Sequence, residues 1–345
     1  MGWERVRLEF ARGVSVRFAD RDEALRQVER VAERGTRFPV VVYGPEGCGK
    51  TALFRQAVEI LKSHGYGVVY VNPAASVKDE KVVSTEDVKE IVGATVGLLE
   101  PAAATLAEKA FELVSRLLSV KRRVAVILDE VFQAVGPERA EVYVKALLDA
   151  IEYPSARYES FVAIIGSSEG TTRARVARHS WATIRVLWNM AREGFKELYD
   201  QIPGPGLDFD SAWRLTGGNP RYLAMLYEHG WDAGSLVEEV VSARRLKAFA
   251  SRLTPLQLEA LSEAVEDPDR LLEYLKRGEP SIERLVDSLV ELNLVAEIPD
   301  RGYGWLDKAP PEKDPSLGIG RFYAWQTPIH REAVRRALSG VHERA

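Results

Sequence analysis

Two clusters of residues have the types and spacing for chemistry on phosphate groups. The first is Gly44-Pro45-Glu46-Gly47-Cys48-Gly49-Lys50-Thr51, the pattern G-x-x-x-x-G-K-[ST]. Its glycines let successive backbone N–H groups turn inward around a phosphate, and a helix starting there adds the positive end of its dipole. Lys50 is then placed to reach the β- and γ-phosphates of a nucleoside triphosphate, and the Thr51 hydroxyl to ligate magnesium. The second cluster is Asp129-Glu130, which closes the apolar run Val124 to Leu128. Acidic residues at the carboxyl end of a buried strand stand where a doubly wound sheet binds ligand. Asp129 suits holding magnesium through its water shell, and Glu130 suits polarising an attacking water.

Both clusters need particular elements to position them, and the flanking residues supply these. Val40 to Tyr43 reads as a strand, and Ala52 to Lys62 carries Leu53, Phe54, Ala57, Val58 and Leu61 at helical spacing. Val68 to Val71, Val124 to Leu128 and Phe161 to Ile165 are further apolar strands, with helices between them: Lys89 to Val120, broken at Pro101, and Arg139 to Ile151. Asn72 to Glu86 reads as loop. Alternating strands and helices give a parallel sheet covered on both sides. The last strand ends in Gly166-Ser167-Ser168-Glu169-Gly170, where Ser167 or Ser168 would lie beside the γ-phosphate. Arg173, Arg175 and Arg178 follow as candidate arginine fingers, or as a solvated helix face.

Bulk properties limit the alternatives. A chain of 345 residues, 46% hydrophobic and 28% charged, has the composition of an ordinary globular protein of two or three domains. Net charge of −4 gives no global pull toward nucleic acid, so such contact would need a local basic patch. One cysteine, Cys48, excludes an intrachain disulfide and a cysteine-rich zinc site, and the five histidines are scattered singly. No apolar run reaches the ~20 residues of a membrane span, and MGWERVRLEF does not read as a signal peptide. A cytoplasmic protein is expected, and its excess of arginine over lysine points to a thermophilic source.

The flanks have their own patterns. Arg5 to Phe10 and Val14 to Phe18 alternate like short strands, and Asp20 or Asp22 should start a helix running to Arg34. After Val186 the chain turns helical: Trp188 to Tyr199, Asp210 to Thr216 and Tyr222 to Glu228. From Ser251 on, Thr254-Pro255 opens one helix, Asp267 or Asp269 a second, and Ser281 caps a third over Ile282 to Leu292. Leu294 to Ile298 and Phe322 to Gln326 would form a hairpin with a long tip, before a final helix from Pro328. Three helices and a hairpin is the order of a winged helix-turn-helix.

With these residues assembled, the chain resembles the archaeal ATPase family of the STAND branch of P-loop NTPases, cousins of the AAA+ replication initiators. The resemblance rests on FADRDEAL (Phe18 to Leu25), GPEGCGKT, VAVILDEVFQ (Val124 to Gln133), IIGSSEG (Ile164 to Gly170) and, most specifically, WRLTGGNPRYL (Trp213 to Leu223). It implies an α/β P-loop core over residues 1–187, a small helical lid over 188–250 and a winged helix-turn-helix over 251–345. It implies ATP or ADP with magnesium as ligands, held between core and lid, with Pro220 beside the base or ribose and Arg221 in the position of the initiators' sensor arginine. The nucleotide set would then be Gly44 to Thr51 with Pro220 and Arg221, the metal set Thr51 and Asp129, and the catalytic set Lys50, Glu130 and Ser168. Family loops commonly carry arginines where this one has Glu46 and Gly47, a departure that points to slow turnover.

Three functions follow from this reading. The first is an ATP-hydrolysing switch acting on a protein partner. The second is an initiator-like or regulatory ATPase reading duplex DNA with its winged helix. The wing offers it Arg301, Tyr303, Trp305, Lys308, Lys313 and Arg321, while Asp300, Asp307, Glu312 and Asp314 oppose it. The third is a nucleotide-holding module with little turnover.

Overall fold

The computed structural model describes residues 4–73, 82–85, 116–118, 121–136, 139–153, 157–168, 170–302 and 304–342. Most of the helix expected over 89–120, together with Glu169 and Tyr303, lies outside them. The chain divides into two compact units. One holds Met1–Val6, Arg21–Gly44 and Lys50–Leu187; the other holds Arg7–Asp20, Pro45–Gly49 and Trp188–Ala345.

The first unit is built on a six-stranded sheet. Its strands are β3 (Val40–Tyr43), β4 (Gly67–Val71), β5 (Val82–Ser84), β6 (Arg123–Asp129), β7 (Ser160–Ser167) and β8 (Thr183–Val186), in the order β5-β4-β6-β7-β3-β8. All pair in parallel except β5, which lies antiparallel to β4. Strands β4 and β7 are buried throughout, which is why they read as unbroken apolar runs instead of alternating. Register pairs Tyr43 with Ser167 and Asp129 with Gly166, so the chemistry-bearing strand ends share one edge of the sheet.

Helices α1 (Asp22–Arg34), α2 (Lys50–Ser63), α3 (Val131–Val135), α4 (Ala140–Glu152) and α5 (Gly170–Val176) belong to the same unit. Helix α1 buries Ala24, Leu25, Val28 and Ala32 along one stripe. Three details differ from the sequence reading. No side chain caps α1; Asp20 and Arg21 take left-handed backbone angles instead, and the chain enters the helix through that turn. The segment read as loop contains β5, and β8 was not read at all. Both are very short, and Arg185 interrupts the apolar character of β8.

In the second unit, β1 (Arg7–Ala11) and β2 (Val14–Arg17) form an antiparallel hairpin. Helices α6 (Arg192–Tyr199), α7 (Phe209–Thr216), α8 (Pro220–Glu228), α9 (Ala233–Ala243) and α10 (Leu246–Ala250) follow. The chain continues with α11 (Pro255–Glu266), α12 (Arg270–Leu275), α13 (Pro280–Glu291), β9 (Val295–Glu297), β10 (Tyr323–Trp325) and α14 (Pro328–His342). Helices α11 to α13 and the antiparallel β9–β10 pair make the winged helix-turn-helix order. Thr254 and Gln257 form a reciprocal capping box at the start of α11. Helix α13 starts earlier than expected, at Pro280, and Ser281 does not cap it. A proline at the first helical position is already fixed near the helical φ and has no N–H to satisfy.

A hydrophobic cluster in this unit brings together Leu226 of α8, Leu236 of α9, Leu261 of α11, Leu289 of α13 and Ile329 of α14. Each such leucine or isoleucine contributes roughly 1.5–3 kcal/mol by leaving water. The Trp325 indole donates to the Ala264 carbonyl at 2.9 Å, which anchors the hairpin to α11.

His330 is fully buried at the start of α14, between the Tyr222 hydroxyl at 2.8 Å and the Thr327 hydroxyl at 2.9 Å. Burial, and then the charge of Arg244, hold its pKa well below 6.5. Above pH 6.5 the ring is neutral in both folded and unfolded chains. Below it the unfolded chain takes up a proton that the folded chain refuses, so stability falls with pH, by at most about 1.4 kcal/mol per pH unit. Melting curves between pH 7.5 and 5 should therefore fall more steeply for the wild type than for His330→Gln. Parallel curves would rule this out.

Candidate active site

Within the first unit, the residues of the P-loop pattern begin where β3 passes into α2. Lys50 opens α2 and is buried; its Nζ donates to the Gly44 carbonyl at 3.0 Å and lies 3.8 Å from Glu130 Oε1. Thr51 Oγ1 donates to Asp129 Oδ2 at 2.6 Å. The same carboxylate oxygen accepts from the Tyr70 hydroxyl at 2.9 Å and from Asn72 Nδ2 at 3.3 Å. Asp129 Oδ1 is buried and has no hydrogen-bond partner. Burial, and then the neighbouring Glu130, push the Asp129 carboxyl up to about 6. Burial, and then Asp129, push the Tyr70 phenol up as well. A carboxylate so placed is short of positive charge.

Glu130 follows directly in a left-handed conformation (φ 51°), which is unusual for a residue with a side chain. That turn ends β6 and aims the side chain at the end of β7. There Ser168 holds Glu130 Oε2 through its Oγ at 3.0 Å and its N–H at 3.3 Å, and Gln133 Nε2 in turn donates to Ser168 Oγ at 2.9 Å. Lys50, Thr51, Asp129, Glu130 and Ser168 are thus joined by direct contacts. Of the finger candidates, Arg173 stacks its guanidinium 5.6 Å from the centre of the Tyr43 ring, while Arg178 is exposed.

The middle of the loop, Pro45–Gly49, belongs to the second unit and is held by that unit's residues. Asn219 caps α8 and donates from Nδ2 to the Glu46 carbonyl at 2.9 Å. Glu46 N–H donates to Gln326 Oε1 at 3.0 Å, and Arg221 N–H to the Gly47 carbonyl at 3.3 Å. The Glu46 carboxylate is divided between two cations: Oε1 lies 3.0 Å from Arg221 Nη1 and Oε2 lies 2.9 Å from Arg244 Nη2. A Cβ on Gly49 would sit 3.9 Å from Pro220 Cγ, so the proline ring lies against the loop. Pro220 and Arg221 therefore gather with Pro45–Gly49. Tyr70, Asn72, Arg244 and Gln326 were not singled out by the sequence. Each comes from a segment without a motif, and only the fold brings it here.

The donor set at Asp129 fits magnesium. A buried carboxylate with an unpartnered oxygen, beside a threonine hydroxyl, offers hard oxygen ligands. Among the described residues no group of three or more His, Cys, Asp or Glu gathers to hold a metal alone. Such a site suits an ion that keeps waters and takes its remaining ligands from substrate phosphates.

A parallel sheet with a G-x-x-x-x-G-K-[ST] turn after one strand and Asp-Glu at the end of another defines a P-loop nucleotide-hydrolysing protein. More narrowly, the chain belongs to the family described as an ATPase domain predominantly from Archaea, whose model matches residues 18–226. No curated protein matches the sequence. Among solved structures, Cdc6p from Pyrobaculum aerophilum is similar at 14% identity, covering 97% of this chain and 99% of that one, with a TM-score of 0.42. The Aeropyrum pernix ORC2 protein, solved in ADPNP–ADP complexes, gives 16% identity, 92% and 94% coverage and a TM-score of 0.40. AMPPCP-bound DnaA from Aquifex aeolicus gives 16% identity, 94% and 88% coverage and 0.40. No described helix is long and apolar enough to cross a membrane.

Proposed function

We propose that this protein is a magnesium-dependent, slowly hydrolysing ATP switch whose nucleotide state is passed to the winged helix and read by a protein partner. The observation that carries the reading is the buried, under-compensated Asp129 carboxylate in contact with Thr51, one residue before a Glu130 that Ser168 holds in place. In this reading the loop Gly44 to Thr51 surrounds the phosphates, with the N–H groups at its α2 end, from Gly49 to Thr51, turned toward them, and Lys50 leaves the Gly44 carbonyl to neutralise the β- and γ-oxygens. Thr51 and Asp129 would hold magnesium, which would supply positive charge to the phosphoryl oxygens. Glu130 takes a proton from the water that attacks the γ-phosphorus; the bond to the bridging oxygen breaks, and ADP and phosphate leave. Ser168 occupies one Glu130 oxygen and so leaves the other for the water. Pro220 and Arg221 flank the nucleotide.

Support for coupling lies inside the second unit. The loop that would surround the phosphates donates its Glu46 N–H to Gln326, the residue that follows β10 of the wing. A change at the loop is thereby felt at the wing. A protein partner is favoured over duplex DNA because most of the wing's cations have internal partners. Arg301 donates to the carbonyls of Pro310, Pro311, Gly320 and Arg321; Lys313 pairs with Asp267, and Lys308 with Glu193.

Phosphate release should be measured with and without magnesium and duplex DNA, beside Lys50→Ala. Turnover that needs magnesium and Lys50 and ignores DNA is the expected result. Acceleration by DNA would bring the initiator-like reading to the front, and turnover surviving Lys50→Ala would overturn the site.

A further inference from the structure

We propose that Glu46 is a phosphate-mimicking latch that sets the affinity for the triphosphate, by holding Arg221 until the nucleotide takes it. The inference rests on the nucleotide site proposed above. Glu46 lies in the third position of the loop, and its backbone is fixed from two sides: its N–H by Gln326 and its carbonyl by Asn219. With the main chain held, the carboxylate is aimed, and it spends one oxygen on each of Arg221 and Arg244.

Carboxylate and phosphate oxygens accept from guanidinium N–H groups in the same geometry, so the two anions compete for the same cation. The two arginines are not equivalent. Arg244 is mostly buried and also donates to the Leu292 carbonyl at the end of α13, whereas the Arg221 side chain is 58% exposed. Arg221 is the one that can be exchanged; Arg244 is the fixed counter-ion. Arg221 is also tied to the loop through its own N–H on the Gly47 carbonyl, which keeps its guanidinium within reach of whatever the loop holds. An anionic side chain beside a phosphate cradle repels the ligand and occupies its cation at once. Both effects weaken triphosphate binding, and they act on the phosphates without touching the nucleoside.

Replacing Glu46 by Gln keeps the size and the backbone bonds and removes the charge. Binding of a non-hydrolysable ATP analogue, ADP and adenosine is measured by calorimetry on the full chain. Glu46→Gln should bind the ATP analogue at least fivefold more tightly, with a smaller gain for ADP and no change for adenosine. Arg244→Gln should do the opposite. Glu46 then turns both oxygens on Arg221, and the analogue binds several-fold more weakly. In a Glu46→Gln background the same Arg244→Gln change should have no effect on affinity.

Should Glu46→Gln fail to fold, as its melting curve would show, the weakening in Arg244→Gln alone tests the latch, and unchanged affinity there overturns it. If Glu46→Gln shifts only the melting temperature and leaves affinity as it was, the contact is structural and the proposal is wrong. Failure of the underlying site would look different: the wild type and Lys50→Ala would bind the analogue equally.

Discussion

Glu130→Gln should lower the rate of phosphate release by about a hundredfold or more while leaving ATP bound, the range expected when a general base is removed. The substitution preserves the side chain's length, so Ser168 can still meet it, but an amide does not accept the proton of the attacking water. The Glu130 side chain lies 3.8 Å from Lys50 and is held by the Ser168 hydroxyl at 3.0 Å, so protein groups fix its orientation. Folding should hardly change, because the left-handed turn that aims residue 130 is a backbone feature and the amide keeps the contact to the end of β7. The measurement pairs single-turnover phosphate release with binding of a fluorescent ATP analogue. Equal release by wild type and variant would show that catalysis was assigned to the wrong residue. Loss of binding together with release would make Glu130 a structural group instead.

Much of this site was legible in the sequence because its parts are local. The loop octet, the apolar run that ends in Asp129-Glu130 and the serines after Ile165 each announce themselves within a dozen residues, and a parallel sheet brings such strand ends to one edge. The less legible parts are long-range. Tyr70 and Asn72 reach Asp129 across some 60 residues of sequence, and nothing in VVYVN marks them as its hydrogen-bond donors. The division of the loop escaped notice altogether. Composition places residues 45–49 with the β3–α2 turn, yet their partners are Asn219, Arg221, Arg244 and Gln326. Glu46 shows why. As a sequence letter it is a departure from the loop the resemblance leads one to expect; in the fold it is a carboxylate between Arg221 and Arg244, the latter 198 residues away. The cluster that joins α8 and α9 to α13 and α14 was equally invisible, since each helix read alone shows only that one face is apolar.

Gly47→Ala should damage both stability and nucleotide binding, and Gly65→Ala separates the causes. Both glycines have nearly the same left-handed backbone, φ 77° and 78°. An alanine in that region costs about 1–2 kcal/mol wherever it stands. At Gly65 the added Cβ meets nothing within 4 Å, so that cost should be the whole effect. At Gly47 it would lie 2.4 Å from Arg221 Cβ and 2.8 Å from Asn219 Oδ1. Neither neighbour is the free end of a flexible chain: Asn219 is the N-cap of α8, and the Arg221 Cβ is fixed by a backbone that donates to Gly47 itself. The overlap can be relieved only by moving the loop off the start of α8, at a further cost of about 1–3 kcal/mol. In the proposed site this loop surrounds the phosphates, so a shift of that kind should be felt directly in binding, and a loss of affinity of about a hundredfold is expected. Gly65→Ala should bind nucleotide like the wild type while melting slightly earlier. Equal melting and equal affinity in the two variants would mean that the contact between loop and α8 does not shape the cradle, and the role given to Asn219 and Arg221 in positioning it would fall with it.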